Sequence, residues 1–195
     1  MMTQGSLPLV SVIIPIYHGE NYVQEAVRSI LNQTYPHIEL LLIDDGSPDK
    51  SGELCDEIAS SDARIHVFHI PHQGVAAARN VGLDHAKGDY ICVYDADAMP
   101  EKNALYFLAK EIVKDPERHV ASFGRNKTRN ANQNFLTRCI NQEIVVTQRV
   151  HHVGMWHLFK IGRIPGTNFM IQTEFVKSIG GWKNGALTED TDISF

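Results

Sequence analysis

The chain has 195 residues, of which 43% are hydrophobic and 21% are charged, and its formal net charge is −5. These values are typical of one soluble globular domain that needs neither disulfides nor a structural metal in order to fold. They argue against nucleic acid as a partner, because duplex affinity comes mainly from Lys and Arg side chains and the sequence has no long basic stripe.

The first hundred residues alternate between short apolar runs and helical patterns. The runs predict strands over residues 10–14, 40–43, 65–68 and 90–94, and the patterns predict helices over residues 22–31, 50–60 and 75–86. The runs are almost continuously hydrophobic, as central strands covered on both faces are. The alternation therefore predicts an α/β domain with a largely parallel central sheet flanked by helices.

The second half of the chain is less regular. A helix is predicted from Pro100 to Lys114, with the proline in its first turn, followed by a strand over residues 120–123 and a helix over 133–146. Residues 151–159 are loosely amphipathic. A partner groove, a membrane surface and the core are open interpretations for them, and the core is the one we favour.

No apolar stretch approaches the roughly 18 to 20 residues of a membrane-spanning helix, and the N-terminus lacks the pattern of a signal peptide. We therefore expect the chain to be cytoplasmic. Its cysteines, Cys55, Cys92 and Cys139, are far apart and lack metal-ligand spacing. We expect them to be reduced thiols in the core.

Acidic residues follow two of the predicted strands. Asp44 and Asp45 come after the second strand, and Asp95 and Asp97 come after the fourth. Open α/β sheets bind ligands at the carboxyl ends of their strands, so both pairs are expected at that edge. In an extended segment Asp95 and Asp97 would point to the same side, which suits Mg²⁺ or Mn²⁺. A solvated turn or a helix cap is the alternative for either pair.

A third acidic cluster lies in residues 188–192. One of its carboxylates could act as a general base, whereas in the alternative interpretation Thr188 caps a helix and the acids favour its dipole. The sequence has neither GxGxxG after the first strand nor GxxxxGK[ST]. The common glycine-rich phosphate-binding loops are therefore absent.

Five short motifs occur in a fixed order: VIIPIY at 12–17, DDGS at 44–47, ARN at 78–80, DAD at 95–97 and TED at 188–190. Together they resemble the family 2 glycosyltransferases with the GT-A fold, over about residues 10–195. The resemblance implies transfer of a sugar from a nucleoside diphosphate donor, usually a UDP-sugar, to a hydroxyl with inversion at the anomeric carbon.

The resemblance also implies a donor site. Pro15 and Tyr17 would border the nucleobase, and Asp44 or Asp45 would bind the base or ribose. Arg79 would lie near the uridine or diphosphate, with a helix-surface salt bridge as its alternative role. The remaining two donor-site residues are Asp95, near the ribose and metal, and Asp97, a direct ligand of Mg²⁺ or Mn²⁺.

On the acceptor side, the resemblance implies that Asp190 is the catalytic base and that Glu189 binds the acceptor or orients its loop. A single in-line attack needs such a base opposite the leaving group and no protein nucleophile. Trp182 could stack on an acceptor sugar, or it could be an aromatic anchor in the core.

The motifs at 165–169, 180–182 and 188–192 look like those of membrane-associated polysaccharide synthases, relatives of cellulose, hyaluronan and poly-N-acetylglucosamine synthases. This implies a saccharide or lipid-linked acceptor and a role in cell-surface polysaccharide synthesis. Those synthases continue into a Gln-x-x-Arg-Trp motif and membrane helices. We therefore expect a domain truncated after TED, from a parent protein at the cytoplasmic face of the plasma membrane that reaches the membrane only through segments absent from this chain.

On this interpretation residues 1–195 form a single GT-A-like domain, with a nucleotide-sugar-binding half at 10–98 and an acceptor-side half at 99–195. Two alternatives stay open. A sugar nucleotidylyltransferase uses a similar sheet and a metal diphosphate, but the missing lysine-bearing phosphate loop and the late TED motif favour glycosyl transfer. A truncated fragment could also bind a UDP-sugar without transferring it.

Overall fold

The computed structural model describes residues 7–159 and 165–184. Its strands are β1 (Val10–Ile16), β2 (Ile38–Asp44), β3 (Ile65–His69), β4 (Tyr90–Val93), β5 (Ala121–Phe123) and β6 (Phe169–Gln172). Its helices are α1 (Val23–Leu31), α2 (Ser51–Ala59), α3 (Val75–His85), α4 (Ala104–Val113), α5 (Phe135–Val146), α6 (His152–Phe159) and α7 (Thr173–Ser178). A π-helical turn, Thr147–His151, joins α5 to α6.

The six strands form one sheet in the order β3-β2-β1-β4-β6-β5. Neighbours among β1 to β4 pair in parallel, whereas β6 pairs antiparallel with both β4 and β5. The largely parallel sheet flanked by helices is confirmed. Strand β6 was not predicted, because it has only four residues and follows a loop whose sequence carries no alternation.

Alternate residues of each central strand serve two separate cores. On β2, Leu40 and Leu42 belong to the core that includes residues of α1, α2 and α4, whereas Leu41 and Ile43 belong to the core that includes residues of α3. Successive side chains of a strand point to opposite faces, so a strand buried on both faces is apolar throughout. This explains the unbroken hydrophobicity of the predicted strands.

The prediction that a helix begins at Pro100 is wrong, because α4 begins at Ala104. Gln33 holds the preceding segment out of a helix, with its Nε2 donating to the carbonyl of Glu101 at 3.0 Å. The Oε1 of Gln33 accepts from the backbone N–H of Leu105 at 3.1 Å. A distant side chain therefore satisfies one of the free N–H groups at the start of α4.

Helix α5, the π-turn and α6 run continuously from residue 135 to 159. The preference for a core position over residues 151–159 is wrong for Leu158, which is 76% exposed, and for Val153, which is 42% exposed, whereas Met155 is half-buried. None of the helices in residues 7–159 and 165–184 combines the length and apolar composition needed to cross a bilayer.

The three cysteines are unpaired, but they do not share one environment. Cys55 and Cys92 are buried, as predicted, and burial raises the pKa of the Cys55 thiol to about 12. Cys139 on α5 is exposed, so the prediction of a core position is wrong for this residue.

Candidate functional site

A cleft of about 400 Å³ opens at the carboxyl ends of β1, β2 and β4. We call it the edge cleft; it is lined by residues 15–19, Tyr22, Asp45, His72, 74–75, Ala78 and 95–97. Five of the predicted site residues therefore meet there: Pro15, Tyr17, Asp45, Asp95 and Asp97. Its position follows from topology, because the loops of a parallel sheet and the N-termini of its helices converge at this edge.

One wall of the edge cleft is aromatic. The ring of Tyr17 stacks on the imidazole of His72, with centroids 4.1 Å apart and an interplanar angle of 21°. Tyr17 remains 46% exposed, and Tyr22 nearby is 49% exposed. The wall can therefore receive a further flat ring. His72 was not among the predicted site residues, because only the fold brings the loop after β3 beside the end of β1.

Asp45 is almost completely buried and fixes the loop that leads into α3. Its two carboxylate oxygens accept hydrogen bonds from the backbone N–H groups of Gln73 and Gly74, each at 2.8 Å. The imidazole Nδ1 of His72 lies 3.0 Å from the same carboxylate. Asp45 thus shapes the cleft by holding its aromatic wall and the start of α3.

The residue after Asp45 must be small. Gly46 has a φ of 65°, and a Cβ built on it would lie 2.8 Å from the backbone nitrogen of His72. A side chain here would push the two loops apart, and the backbone conformation itself favours glycine. The close approach keeps His72 within reach of Asp45.

Of the two alternatives left open, Asp44 and Asp45, the structure brings only Asp45 to the edge cleft. The Asp44 carboxylate instead lies 3.0 Å from Nδ1 of His69 and accepts from the N–H of Ser47 at 3.1 Å. Successive residues of a strand point to opposite faces of the sheet. Asp44 therefore lies on the face of Leu40 and Leu42, toward α2, and Asp45 lies on the other face, toward α3. His69 also contacts Asp56, and hydrogen bonds with these two carboxylates raise the pKa of its imidazole.

Asp95 and Asp97 both line the edge cleft, but not through the predicted extended geometry. Strand β4 ends at Val93, and the backbone N–H of Ala98 donates to the carbonyl of Asp95 at 2.9 Å, which closes a turn. Asp97 is exposed, and 46% of the Asp95 side chain is accessible. Two hard oxygen donors therefore face the cleft, as Mg²⁺ or Mn²⁺ requires.

These two carboxylates would not form a complete metal site alone. Within residues 7–159 and 165–184, no group of three or more His, Cys, Asp or Glu side chains is arranged to hold a metal ion. The arrangement suits a divalent ion that takes its other ligands from water and from bound phosphates, which is how Mg²⁺ is commonly held.

Arg79 on α3 is only 3% exposed, so the alternative of a helix-surface salt bridge is wrong. Its Nη2 donates to the carbonyl of Gly166 at 3.0 Å and lies 3.9 Å from Oδ1 of Asp95. Thr167 Oγ1 accepts from the backbone N–H of Asp95 at 3.1 Å. The loop before β6 is thereby joined to α3 and to the acidic turn after β4. Arg79 itself does not line the edge cleft.

The prediction that Trp182 stacks on an acceptor sugar is wrong in this structure, because the residue is 2% exposed and belongs to the α3-side core. Its backbone exchanges two hydrogen bonds with the Asn80 side chain, at 2.8 and 2.7 Å. The alternative of an aromatic core anchor describes its environment. The other predicted acceptor-side residues, Glu189 and Asp190, lie outside the described residues.

The sequence matches a family model described as "Glycosyl transferase family 2" over residues 11–180. It is 36% identical over 194 residues to "Probable glycosyltransferase YdaM" of Bacillus subtilis, covering 96% of this chain and 46% of that protein. It is 31% identical over 163 residues to a chondroitin synthase of Pasteurella multocida, covering 78% of this chain and 17% of that protein. The chain thus spans less than half the length of both relatives.

Two solved structures share the fold. The mannosyltransferase PcManGT from Pyrobaculum calidifontis, in complex with GDP-Man and Mn²⁺, superposes with a TM-score of 0.70 at 22% identity, covering 94% of this chain and 50% of that chain. S. aureus TarS 1-349, in complex with UDP-GlcNAc, gives a TM-score of 0.63 at 18% identity, covering 95% and 51%. These likenesses confirm the predicted GT-A fold.

Proposed function

Because the chain belongs to glycosyltransferase family 2, we propose that it forms the donor-binding part of an inverting, metal-dependent glycosyltransferase that uses a UDP-sugar. The observation that carries the proposal is the edge cleft, which combines an open aromatic wall with the carboxylates of Asp95 and Asp97. A nucleoside diphosphate sugar has the matching parts: a flat base and a diphosphate that binds a divalent ion.

The base is proposed to lie against Tyr17. The pair of Tyr17 and His72 supplies a flat surface, and Pro15 borders it. A cleft of about 400 Å³ is within the usual range for small-molecule sites. Asp45 supports this role indirectly, because its bonds to the backbone of residues 73–74 hold the loop that carries His72. The TarS complex with UDP-GlcNAc favours uridine as the base, whereas PcManGT binds GDP-Man.

The diphosphate is proposed to lie beside Asp95 and Asp97, which would hold Mg²⁺ or Mn²⁺. A bound ion would neutralise the charge that develops on the departing diphosphate. The Mn²⁺ in the PcManGT complex supports a divalent ion. Arg79 acts as a positioning residue, because its guanidinium lies 3.9 Å from Asp95 and holds the carbonyl of Gly166.

Inversion requires a base that accepts the proton of the acceptor hydroxyl while the bond to the diphosphate breaks. We assign this role to Asp190 and an acceptor-orienting role to Glu189, on the resemblance of the TED motif. The acceptor is proposed to be a saccharide or a lipid-linked saccharide in cell-surface polysaccharide synthesis, at the cytoplasmic face of the membrane. The identity to the Pasteurella synthase supports a polysaccharide product.

The test is calorimetric titration of the chain with UDP, in the presence and absence of Mn²⁺. We expect Mn²⁺-dependent binding that Asp97→Asn abolishes, whereas Asp84→Asn, at an exposed position of α3 outside the cleft, leaves it unchanged. GDP serves as the competing nucleotide. Tighter binding of GDP would overturn the uridine assignment, and absence of binding by either nucleotide would overturn the donor-binding proposal.

A second measurement separates transfer from the two alternatives. Incubation with UDP-GlcNAc and Mn²⁺ should release UDP slowly by hydrolysis if this chain retains catalytic groups. UDP binding without release would support the binding-only alternative. Release of UTP and GlcNAc-1-phosphate after addition of pyrophosphate would support a nucleotidylyltransferase, an activity that the family match disfavours.

A further inference from the structure

Exposed apolar side chains concentrate on the continuous helix formed by α5, the π-turn and α6. Phe135 is 82% exposed, Leu136 66% and Val150 65%. Monomeric proteins rarely leave several large apolar side chains exposed side by side, and such patches commonly contact a partner or a membrane. We call five of these residues the stripe: Phe135, Leu136, Ile140, Val146 and Val150.

The spacing of the stripe places it on one side of the helix. Phe135, Val146 and Val150 follow one another at intervals of 11 and 4 residues, which return to the same face of a helix. Leu136 and Ile140 form a parallel row beside the first turns. Thr137, which is buried, lies on the inner side of α5. The stripe therefore faces away from the rest of the domain.

The same region is basic, although the whole chain is acidic. Residues 125–159 contain five Lys and Arg side chains and one acidic residue, Glu143, in a chain of net charge −5. Lys127 lies 2.7 Å from Glu101, and Arg129 lies 3.6 Å from Glu25. Two further cations beside the stripe are exposed and form no ion pair within the described parts of the chain: Arg138 and Arg149.

We propose that the stripe, together with Arg138 and Arg149, binds the surface of an anionic lipid bilayer, with the helix lying in the plane of the interface. Interfacial helices place aromatic and aliphatic side chains at the boundary of the acyl chains while basic residues contact the phosphates. An anionic bilayer accounts for both the exposed apolar residues and the local positive charge. The proposal does not depend on the chemistry of the edge cleft.

The test is co-sedimentation of the whole chain with vesicles. We expect binding to vesicles of phosphatidylcholine mixed with phosphatidylglycerol and little binding to phosphatidylcholine alone. Raising the ionic strength to about 1 M should weaken binding, because the Debye length falls to about 3 Å. The double variant Phe135→Glu, Leu136→Glu should lose binding by about tenfold or more, since it removes two interfacial apolar side chains and adds negative charge.

Matched variants test whether the effect is local. Phe107→Glu changes a side chain of α4 that is 57% exposed and outside the stripe, so vesicle binding should remain close to that of the unmodified chain. Arg138→Glu with Arg149→Glu should weaken binding, whereas Arg118→Glu, at a side chain 83% exposed, should weaken it less. Circular dichroism verifies that every variant is folded.

Equal binding by the stripe variant and the unmodified chain would overturn the proposal, as would equal binding to neutral and anionic vesicles. Failure of the unmodified chain to bind any vesicle would overturn it too. In that case size-exclusion chromatography with light scattering would reveal whether a second copy covers the stripe, because the double variant would then shift a dimer to a monomer.

Discussion

The guanidinium of Arg79 lies 3.9 Å from the carboxylate of Asp95, although the two residues belong to different elements and Arg79 is buried. The same guanidinium group donates to the carbonyl of Gly166, 87 residues further along the chain. One side chain therefore connects helix α3, the acidic turn after β4 and the loop before β6. This connection positions Asp95 for the proposed metal.

Arg79→Met is expected to lower the free energy of unfolding by about 1.5 to 3 kcal/mol, because the charge-assisted hydrogen bond of a buried guanidinium is lost. UDP affinity in the presence of Mn²⁺ should fall as well, since Asp95 loses its neighbour. Urea denaturation and calorimetry measure the two effects. The control Arg118→Met, at an exposed position, should change neither. Unchanged UDP affinity in Arg79→Met would contradict the positioning role.

Asp45→Asn and Asp44→Asn should differ in their effect on nucleotide binding. The asparagine at 45 keeps one acceptor oxygen where two backbone N–H groups now bond, so we expect a loss of about 1 to 3 kcal/mol of stability and weaker UDP binding. Asp44→Asn changes only the contacts behind the cleft and should leave UDP affinity close to normal. Equal losses of affinity in both variants would contradict the division of roles between the two carboxylates.

Tyr17→Ala should weaken UDP binding by about 1 to 3 kcal/mol, the usual contribution of a base stacked on an aromatic ring. Tyr17→Phe keeps the ring and should bind almost normally. Calorimetric titration in Mn²⁺ compares the two variants at the same position. If Tyr17→Phe loses as much affinity as Tyr17→Ala, the hydroxyl and not the ring surface is the binding group.

Trp182→Ala should destabilise the fold by about 3 to 5 kcal/mol, because it leaves a large cavity in the α3-side core. The neighbouring Ile179→Ala removes a side chain that is 43% exposed and should cost far less. Urea denaturation compares the two. A stable Trp182→Ala protein would contradict the core role and restore the possibility of a ligand contact.

The contribution of His69 to stability should depend on pH. Hydrogen bonds with Asp44 and then Asp56 raise the pKa of His69 above its usual value of 6.5, and only the imidazolium can donate to both carboxylates. This stabilisation is fully present below about pH 6.5 and is lost as the pH rises through the folded-state pKa. Urea midpoints measured across this range should fall less in His69→Gln than in the unmodified chain, with exposed His37→Gln as the control.

Much of the fold could be predicted from the sequence because β1 to β4 are buried on both faces and alternate with amphipathic helices. The different roles of Asp44 and Asp45 could also have been predicted from the sequence. Every second residue of a strand points to the same face, so Asp44 shares the α2 face with Leu40 and Leu42. The hydrogen bonds of Gln33 to the start of α4 are different. They join residues more than 60 positions apart, so no local sequence pattern predicts them.

The acidic residues of the candidate site could be predicted from the sequence more completely than the residues that pack around them. Asp95 and Asp97 follow a strand, and strand ends locate a ligand edge without further knowledge. His72 and Arg79 acquire their contacts only from tertiary packing: His72 stacks on a residue of another loop, and Arg79 is buried by the loop that precedes β6. Its position on a helix left a helix-surface salt bridge as the alternative role of Arg79, which its burial excludes.

The place of β6 between β4 and β5 affects the order in which a nascent chain can assemble its sheet. Strands β1 to β4 emerge from the ribosome first and pair among themselves, but β5 has no partner until residues 169–172 follow it. Residues 124–168 must therefore be synthesised before β5 can join the sheet. Over the same interval the acidic turn after β4 lacks the hydrogen bond between the N–H of Asp95 and Thr167. Ribosome release before that point would leave an open strand edge available for aggregation.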